Sequence, residues 1–322
     1  MKSFVHVHAR SVNEATELLA AYKGEAKLNA GGTDLLAVLK DRILPDYPKA
    51  IINIKSIPGL NTLYEEEDGV VVGALTTLTD LIKHLAQSYP LLKEAAMAVA
   101  SPQIRNIATI GGNLCQDTRC WYYRYPDEIG GRLNCFRKGG RTCPAVAGEN
   151  RYHAIMGGKQ CYAVCPSDTA IALTALGATL RIAGTKGTRT LSIEEFFTPL
   201  GNVLASDEMI TAIYIPKPSA AARQNFLKFT LRKPIDFGIV SAASLMTLEK
   251  GVCTAARIVL GAVAPTPVRA LKAEEFLRGK EVTEETAAEA AALALEGAKP
   301  LSKNTYKLEI AKTLVKRVVN GS

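Results

Sequence analysis

The sequence of 322 residues contains no run of about 18 apolar residues, the length that a membrane-spanning helix requires. Residues 1–8 alternate like a strand and lack the apolar region and small-residue cleavage site of a signal peptide. No repeat of fixed period is present. We therefore expect a cytoplasmic chain without a membrane span, unless it is exported together with a partner.

Several nucleotide- and metal-binding motifs are also missing. The sequence has neither the G-x-G-x-x-G pattern nor a phosphate-binding loop with G-K-[ST]. It has no C-x2-C pair, which excludes a zinc ribbon and a ferredoxin-type motif. The formal net charge is +8, but no zinc-finger, helix-turn-helix or RNP pattern accompanies it. We therefore expect no nucleic-acid partner.

The composition is that of a globular protein, with 48% hydrophobic and 22% charged residues. Residues 12–22 have helical spacing, and Ser11 with Glu14 forms a possible capping box at their start. From about residue 217 the pattern changes. A linker over 217–223 precedes three strand-like runs at 226–231, 239–248 and 253–260, and then three helical stretches. The pattern predicts a separate C-terminal α+β domain.

Two glycine-rich turns have the same character. Gly31-Gly32-Thr33 follows a predicted strand and opens a predicted helix, and residues 109–113 form a second turn, Thr-Ile-Gly-Gly-Asn. Glycine lets the backbone approach an anion, and a helix N-terminus offers free N–H groups. Either turn alone is weak evidence of a ligand. Together they indicate a dinucleotide held between two subdomains.

Six of the seven cysteines lie between residues 115 and 165, and only Cys253 lies outside. Between Arg119 and Cys165 there are eight basic and three acidic residues, an excess of five positive charges. Cysteines clustered in a large chain with no secretion signal indicate a metal or redox site rather than a disulfide framework. Zinc and a [4Fe–4S] cluster both accept four cysteines, and the spacing leaves them open. His153 is better explained as a structural residue than as a ligand.

The two turns together are similar to a known family. Residues 30–36, Ala-Gly-Gly-Thr-Asp-Leu-Leu, with residues 104–113, Ile-Arg-Asn-Ile-Ala-Thr-Ile-Gly-Gly-Asn, resemble the flavoprotein subunit of the molybdenum hydroxylases. The match extends to residues 166–168 and to residues 226–232 followed by Asp236. The resemblance implies an α+β fold: a two-subdomain FAD-binding domain (PCMH type) with a Cys-rich insertion, followed by a C-terminal α+β domain. Its parts would be residues 1–57, 58–216 with the insertion at 114–166, and 217–322.

The resemblance also implies a set of cofactor residues. FAD would lie between the two N-terminal subdomains, with its pyrophosphate on residues 27–35 and its other side on residues 109–113. Asp168 would reach its ribityl or ribose part, and Ile210 and Lys228 would line the flavin. The implied residues are Lys27, Leu28, Asn29, Ala30, Gly31, Gly32, Thr33, Asp34, Leu35, Thr109, Ile110, Gly111, Gly112, Asn113, Asp168, Ile210 and Lys228.

The insertion resembles the subgroup that contains 4-hydroxybenzoyl-CoA reductase and the periplasmic aldehyde oxidoreductase flavoprotein, in which four cysteines bind an extra [4Fe–4S] cluster. That likeness favours iron–sulfur over zinc. By position, the ligands would be Cys120, Cys135, Cys143 and Cys161. Cys115 and Cys165 are additional cysteines, and either is an alternative ligand.

The resemblance implies an electron-transfer subunit of an oxidoreductase complex, in which FAD and the [4Fe–4S] cluster perform the redox chemistry and no residue is a catalytic acid or nucleophile. Its partners would be a large molybdenum-cofactor subunit and a small [2Fe–2S] subunit, in a possible dimer of heterotrimers. A ferredoxin-like carrier would exchange electrons with it. An alternative is an assembly module with a structural iron–sulfur or zinc loop. A self-sufficient flavin oxidase is disfavoured, because the C-terminal hundred residues are too short for a substrate-binding cap.

Overall fold

The computed structural model of the chain describes residues 1–126, 133–232 and 235–321. Asp127, Glu128 and Arg132, which belong to the charge count of the insertion, therefore lie outside the described residues. The strands are β1 Val5–His8, β2 Ala26–Asn29, β3 Ala50–Asn53, β4 Leu63–Glu66, β5 Gly69–Gly73, β6 Thr179–Gly184, β7 Gly187–Ser192, β8 Phe197–Thr198, β9 Gly201–Asn202, β10 Met209–Pro216, β11 Ala222–Phe229, β12 Val240–Glu249, β13 Val252–Gly261 and β14 Val268–Arg269.

The first two helices alternate with the first three strands, six helices follow one another between β5 and β6, and three helices follow the strands at the C-terminus. They are α1 Val12–Ala21, α2 Leu35–Lys40, α3 Leu78–Leu85, α4 Pro90–Met97, α5 Pro102–Arg105, α6 Ile110–Cys115, α7 Trp121–Arg124, α8 Asp168–Leu176, α9 Ile193–Phe196, α10 Leu271–Leu277, α11 Glu284–Leu293 and α12 Lys307–Asn320. Two short 3₁₀ turns, Phe136–Lys138 and Pro144–Val146, lie in the Cys-rich insertion.

Three of the four sheets in the described chain organise the fold, and the fourth is the two-stranded pair β8-β9. The first is parallel, in the order β1-β3-β2, and α1 packs on it through Ala15 and Leu19. The second is antiparallel, in the order β4-β5-β10-β6-β7, and α3, α4 and α8 share one apolar core with it. The third is antiparallel, in the order β11-β12-β13-β14. Helices α10, α11 and α12 share a second apolar core with it. This arrangement confirms the predicted α+β fold with a C-terminal α+β part.

Helix α8 joins the second sheet to the third. All nine of its residues are buried, because the helix touches α4 on one side and β12 and β13 on the other. Ser167 begins it as N-cap, accepting from the Ala170 N–H at 3.1 Å, and Gly177 ends it in a left-handed conformation. Residues at the start of α8 are therefore fixed from both halves of the molecule.

The helix predicted after Ser11 is confirmed, with one difference in its capping. The Ser11 hydroxyl accepts from the Glu14 N–H at 3.1 Å, but the Glu14 carboxylate accepts from the Arg10 N–H at 2.7 Å, not from that of Ser11. The carboxylate thus reaches one residue further back than in a capping box.

Two predictions of local structure are wrong. The second glycine pair does not form a strand-to-helix turn: residues 102–105 are a short helix, and Gly111 and Gly112 lie in the first turn of α6, which Thr109 caps. Ser101 with Pro102 starts a helix there, which the apolar composition of residues 104–110 concealed. The proposed linker is also too long, since Ala222 and Arg223 already pair with Thr247 and Met246.

Candidate functional site

A cleft of about 950 Å³ lies between the first sheet, α6 and the start of α8. Sixteen of the seventeen residues expected at the cofactor line it. The exception is Ile110, whose side chain is 1% exposed and packs in the core of the second sheet. The expected role of Ile110 at the cofactor therefore stays a prediction, and its side chain is not part of the cleft lining. Its position is fixed because its N–H donates to the Thr76 carbonyl at 2.9 Å.

The first glycine turn presents its backbone to this cleft. No acceptor within the described residues takes the N–H groups of Gly31, Gly32 and Thr33. Gly32 has φ of +70°, and the neighbouring Asn29 Oδ1 is buried without a hydrogen-bond partner in the described structure. Unpaired backbone donors before a helix form a site for an anion. The turn is thus built to receive a group from outside the chain.

The second glycine pair contributes shape rather than donors. The Gly111 N–H donates to the Ala74 carbonyl at 2.9 Å, and the Gly112 N–H donates to the Thr109 hydroxyl at 3.2 Å.

A Cβ on Gly31 would lie 2.2 Å from the Ile107 carbonyl oxygen. Glycine is required there because the two backbones meet without room for a side chain.

Asp34 does not face the cleft as a free acid. Its Oδ1 accepts from the Arg119 and Arg124 guanidinium groups, the latter at 2.7 Å, and its Oδ2 accepts from the Asp117 N–H at 2.7 Å. Burial raises the pKa of Asp34, but the two arginines outweigh it and hold the pKa below its ordinary value. Asp34 therefore anchors the start of the Cys-rich insertion to the first glycine turn.

Asp168 and Lys228 form a buried ion pair on the cleft wall. Their side chains are at most 9% exposed, and Lys228 Nζ donates to Asp168 Oδ2 at 2.7 Å and to the Ala98 carbonyl at 2.9 Å. Burial raises the pKa of the Asp168 carboxyl, and the Lys228 ammonium opposes this rise. The pair links α4, α8 and β11 at the cleft.

Asn113 closes the insertion at its base. Its Oδ1 accepts from the Ser167 hydroxyl at 2.6 Å and from the Thr169 hydroxyl at 2.7 Å. The two ends of the insertion, 54 residues apart in sequence, are therefore held together beside the cleft.

The six insertion cysteines fall into two groups. Cys115 and Cys165 line the cleft, and burial, with the neighbouring Asp168 carboxylate, raises the pKa of Cys165 to about 12. The other four lie near one another. Burial raises the pKa of Cys120 to about 12, with a further rise from Cys161 and Cys143. Burial raises the pKa of Cys143, with a further rise from Cys161 and Cys135.

Several N–H groups lower the pKa of these thiols. Backbone N–H groups of Tyr122 and Tyr123 oppose the rise in the pKa of Cys120, and those of Ala145 and Tyr162 oppose the rise in the pKa of Cys143. Such donors suit sulfur atoms that act as thiolates. However, no group of three or more His, Cys, Asp or Glu side chains in the described ranges is arranged to hold a metal ion. The expected metal centre on Cys120, Cys135, Cys143 and Cys161 is therefore not shown as a formed ligand set.

The sequence does not predict two side-chain contacts to the proposed ligand thiols. His153 Nε2 lies 3.2 Å from Cys120 Sγ, and Arg137 Nε donates to Cys161 Sγ at 3.3 Å. Burial, with the nearby Lys307 ammonium, lowers the pKa of His153 to about 4, so the imidazole is neutral near pH 7. The positive excess of the insertion was the only signal for Arg137. That His153 is not a ligand stays a prediction, and its contact with Cys120 depends on the fold.

Within the described ranges, no helix is long and apolar enough to cross a membrane. Residues 2–218 match the family profile described as the FAD-binding domain in molybdopterin dehydrogenase. Residues 225–321 match the one described as the CO dehydrogenase flavoprotein C-terminal domain. The chain thus consists of a FAD-binding domain followed by a flavoprotein C-terminal domain.

Individual relatives are similar to this chain over nearly its whole length. The chain is 31% identical to the aldehyde oxidoreductase FAD-binding subunit PaoB of Escherichia coli, over 99% of this chain and 98% of that one. It is 30% identical to the carbon monoxide dehydrogenase medium chain of Hydrogenophaga pseudoflava, over 97% and 94%. Among solved structures, quinoline 2-oxidoreductase from Pseudomonas putida 86 matches with a TM-score of 0.78 and 28% identity, over 99% and 97%. The chain belongs to the family of FAD-binding subunits of the molybdenum hydroxylases, and it is an oxidoreductase subunit.

Proposed function

We propose that the chain is the electron-transfer subunit of a molybdenum hydroxylase-type complex, carrying FAD in the cleft and a [4Fe–4S] cluster in the insertion. The observation that carries the proposal is the set of unpaired N–H groups at Gly31, Gly32 and Thr33, which face a cleft with cysteines in its wall. When bound, FAD exchanges one or two electrons at a time, which lets it connect one-electron and two-electron partners.

The chain's residues would hold FAD in distinct ways. Gly31, Gly32 and Thr33 would bind the pyrophosphate through their N–H groups, and the buried Asn29 Oδ1 would accept a hydrogen bond from the cofactor. Ile210 would pack on it as an apolar wall, since its side chain is 5% exposed. The cleft, at about 950 Å³, is near the upper end of ligand pockets and suits a ligand of dinucleotide size.

The thiols of Cys120, Cys135, Cys143 and Cys161 are the proposed cluster ligands. They interact electrostatically, yet they do not converge as ligands of a single ion do. The choice of a cluster over zinc rests on the resemblance of the insertion to the iron–sulfur subgroup, since four thiolates ligate either. Cys115 and Cys165 are excluded from the proposed set because they line the cleft.

The relatives support the assignment of partners. Those named as a medium chain or as an FAD-binding subunit are parts of larger oxidoreductases. We propose that this chain likewise joins a large molybdenum-cofactor subunit and a small [2Fe–2S] subunit, and that the insertion exchanges electrons with a ferredoxin-like carrier. Arg137 lines the cleft and also contacts Cys161, so the proposed cluster would lie close to the flavin.

The test is cofactor analysis of the full chain purified without oxygen. We expect about four irons and four sulfides per FAD, and an EPR signal that appears on reduction by dithionite and decays as FAD accepts the electron. Cys120→Ser should lose iron. Cys115→Ser, the matched control, should retain it.

Three results would overturn parts of this proposal. One zinc without sulfide would favour a structural metal loop. A cluster that dithionite cannot reduce would favour the assembly module over the electron relay. Iron loss in Cys115→Ser but not in Cys120→Ser would make Cys115, rather than Cys120, the ligand.

A further inference from the structure

Two side-chain nitrogens lie within hydrogen-bond distance of two different proposed cluster ligands. His153 Nε2 lies 3.2 Å from Cys120 Sγ, and Arg137 Nε lies 3.3 Å from Cys161 Sγ. Both distances are within the range for hydrogen bonds to sulfur. Neither residue is an expected ligand, and both are in the insertion.

The C-terminal part of the chain fixes the position of His153. The His153 carbonyl accepts from Asn304 Nδ2 at 3.1 Å and from Lys307 Nζ at 3.0 Å. The residue is 3% exposed, and the Trp121 ring lies 5.3 Å from its ring in an edge arrangement. The imidazole therefore has little freedom to turn away from Cys120.

The proton of His153 has to be on Nε2 when Cys120 is a thiolate. A thiolate only accepts hydrogen bonds, so the nitrogen that faces it has to be the donor. The other ring nitrogen, Nδ1, is buried with no hydrogen-bond partner in the described structure. A neutral ring with its proton on Nε2 leaves only a lone pair on the buried Nδ1. An unpaired lone pair costs less than a buried N–H without an acceptor.

The rim of the flavin cleft fixes the position of Arg137. Its two terminal nitrogens donate to the Leu200 carbonyl at 2.9 Å and to the Pro199 carbonyl at 3.1 Å. Asp117 Oδ1 lies 3.7 Å from the same group, and the side chain is 11% exposed. With both terminal nitrogens held, Nε is aimed at Cys161.

We propose that His153 and Arg137 are positioning residues that raise the reduction potential of the cluster. This inference rests on the proposed function, because it needs the cluster to be present. Reduction adds one negative charge to the cluster and its thiolates, and N–H donors to the sulfurs stabilise that charge. His153 ties this effect to the C-terminal domain, and Arg137 ties it to the flavin cleft.

The test is a redox titration of the full, cofactor-loaded chain, followed by EPR of the reduced cluster. His153→Phe and Arg137→Met should each shift the cluster potential to more negative values. His153→Gln keeps an N–H donor, so its cluster potential should stay closer to the wild-type value than that of His153→Phe. The double variant should shift by about the sum, because the donors act on different sulfurs.

Two controls separate the hydrogen bonds from simple charge and from loss of the cluster. Arg141→Gln removes one positive charge from an exposed site of the insertion, and it should leave the potential near that of the wild type. Iron and sulfide analysis of every variant shows whether the cluster is bound. If the wild type lacks iron, the proposed function fails. If iron is bound and the potential of both variants stays at the wild-type value, this inference alone fails.

A second measurement does not depend on how the variants fold. Pulsed EPR of wild-type chain labelled with ¹⁵N-histidine should detect a nitrogen coupling to the reduced cluster, transmitted through the Nε2–H···S contact. The absence of such a coupling, in a sample with full iron content, would overturn the role of His153.

Discussion

Lys307 is a charged residue in the interior of the molecule. It is 0% exposed, and its Nζ donates to the Ala262 carbonyl at 2.5 Å and to the His153 carbonyl at 3.0 Å. Burial lowers the pKa of Lys307 from its ordinary value of 10.5 to about 7. The fold therefore favours the neutral amine, which still donates both hydrogen bonds.

This pKa makes stability depend on pH. Between about pH 7 and pH 10 the unfolded chain binds the Lys307 proton and the folded chain releases it, so the free energy of unfolding rises with pH. The slope from this residue reaches ~1.4 kcal/mol per pH unit. We expect the urea midpoint of the wild type to rise from about pH 6.5 to about pH 8.5, and that of Lys307→Met to change less.

Lys312→Met is the control, since Lys312 is exposed on the same helix. It should keep the wild-type pH dependence. Parallel curves for the wild type and Lys307→Met would show that the buried amine does not titrate in this range.

The first glycine turn and the segment before α6 are the elements that form the cleft. Gly31 lies against the Ile107 carbonyl, and Ala108 passes within contact distance of the same point. The obstacle to a side chain is backbone, which cannot move without shifting the start of α6. The three unpaired N–H groups are thus placed by a contact between two backbones.

Gly31→Ala should both destabilise the fold and weaken FAD binding. A Cβ at this site needs a backbone shift, and such overpacking costs about 1–3 kcal/mol. A loss of 1.4 kcal/mol or more in cofactor binding corresponds to about tenfold or more in Kd. Urea unfolding and a fluorescence titration with FAD measure the two effects.

Gly112→Ala is the matched comparison within the second glycine pair. Its Cβ would meet the Thr109 hydroxyl at 2.9 Å, which is a side-chain atom and can move. We expect a smaller loss than for Gly31→Ala in both measurements. Equal losses would mean that the close approach at Ile107 does not determine the cleft.

The regular elements were largely predictable from the sequence, because their periodicity is local. Helices α1 and α2 and the three long strands of the C-terminal domain lie within a few residues of the prediction. The start of α6 was not predictable, because a glycine pair indicates a turn. Only the Thr109 cap shows that a helix begins there. The cleft lining was anticipated by the resemblance for every predicted residue except Ile110.

The roles of individual side chains were less predictable. Asp34 was expected at the cofactor, but its carboxylate binds Arg119 and Arg124 of the insertion. The contact of His153 with Cys120 joins residues 33 positions apart in the sequence. Such contacts depend on the path of the chain between them, and residue spacing carries no information about that path.

At the scale of the whole molecule, the insertion connects the flavin cleft to the C-terminal domain. Asp34 holds its beginning, and Asn113 holds its two ends. Its later part packs against the third sheet, where Ile155 is fully buried in the core of that domain. Asn304 completes the connection by donating to the His153 carbonyl at 3.1 Å and to the Ala154 carbonyl at 3.2 Å.

Asn304→Ala should loosen this connection. The Asn304 side chain is fully buried, and its removal takes the partner from the Ala154 carbonyl and the Leu301 N–H, at about 1–3 kcal/mol each. The His153 carbonyl keeps its hydrogen bond from Lys307 Nζ. We expect faster amide hydrogen exchange at residues 150–156 and a lower unfolding temperature. Ser302→Ala removes a partner of Asn150 on the exposed side, and it should have a smaller effect. Unchanged exchange in Asn304→Ala would show that other contacts hold the insertion.

The contacts between Asn150 and residues 302–303 also set an order of events during synthesis of the chain. Ser302 is made 152 residues after Asn150. At ribosomal rates of about 5–20 residues per second, that interval is roughly 8–30 s. The sheets of the flavin domain are complete long before the last helix exists. During this interval the insertion lacks the hydrogen bonds that Ser302 and Lys303 later make with Asn150.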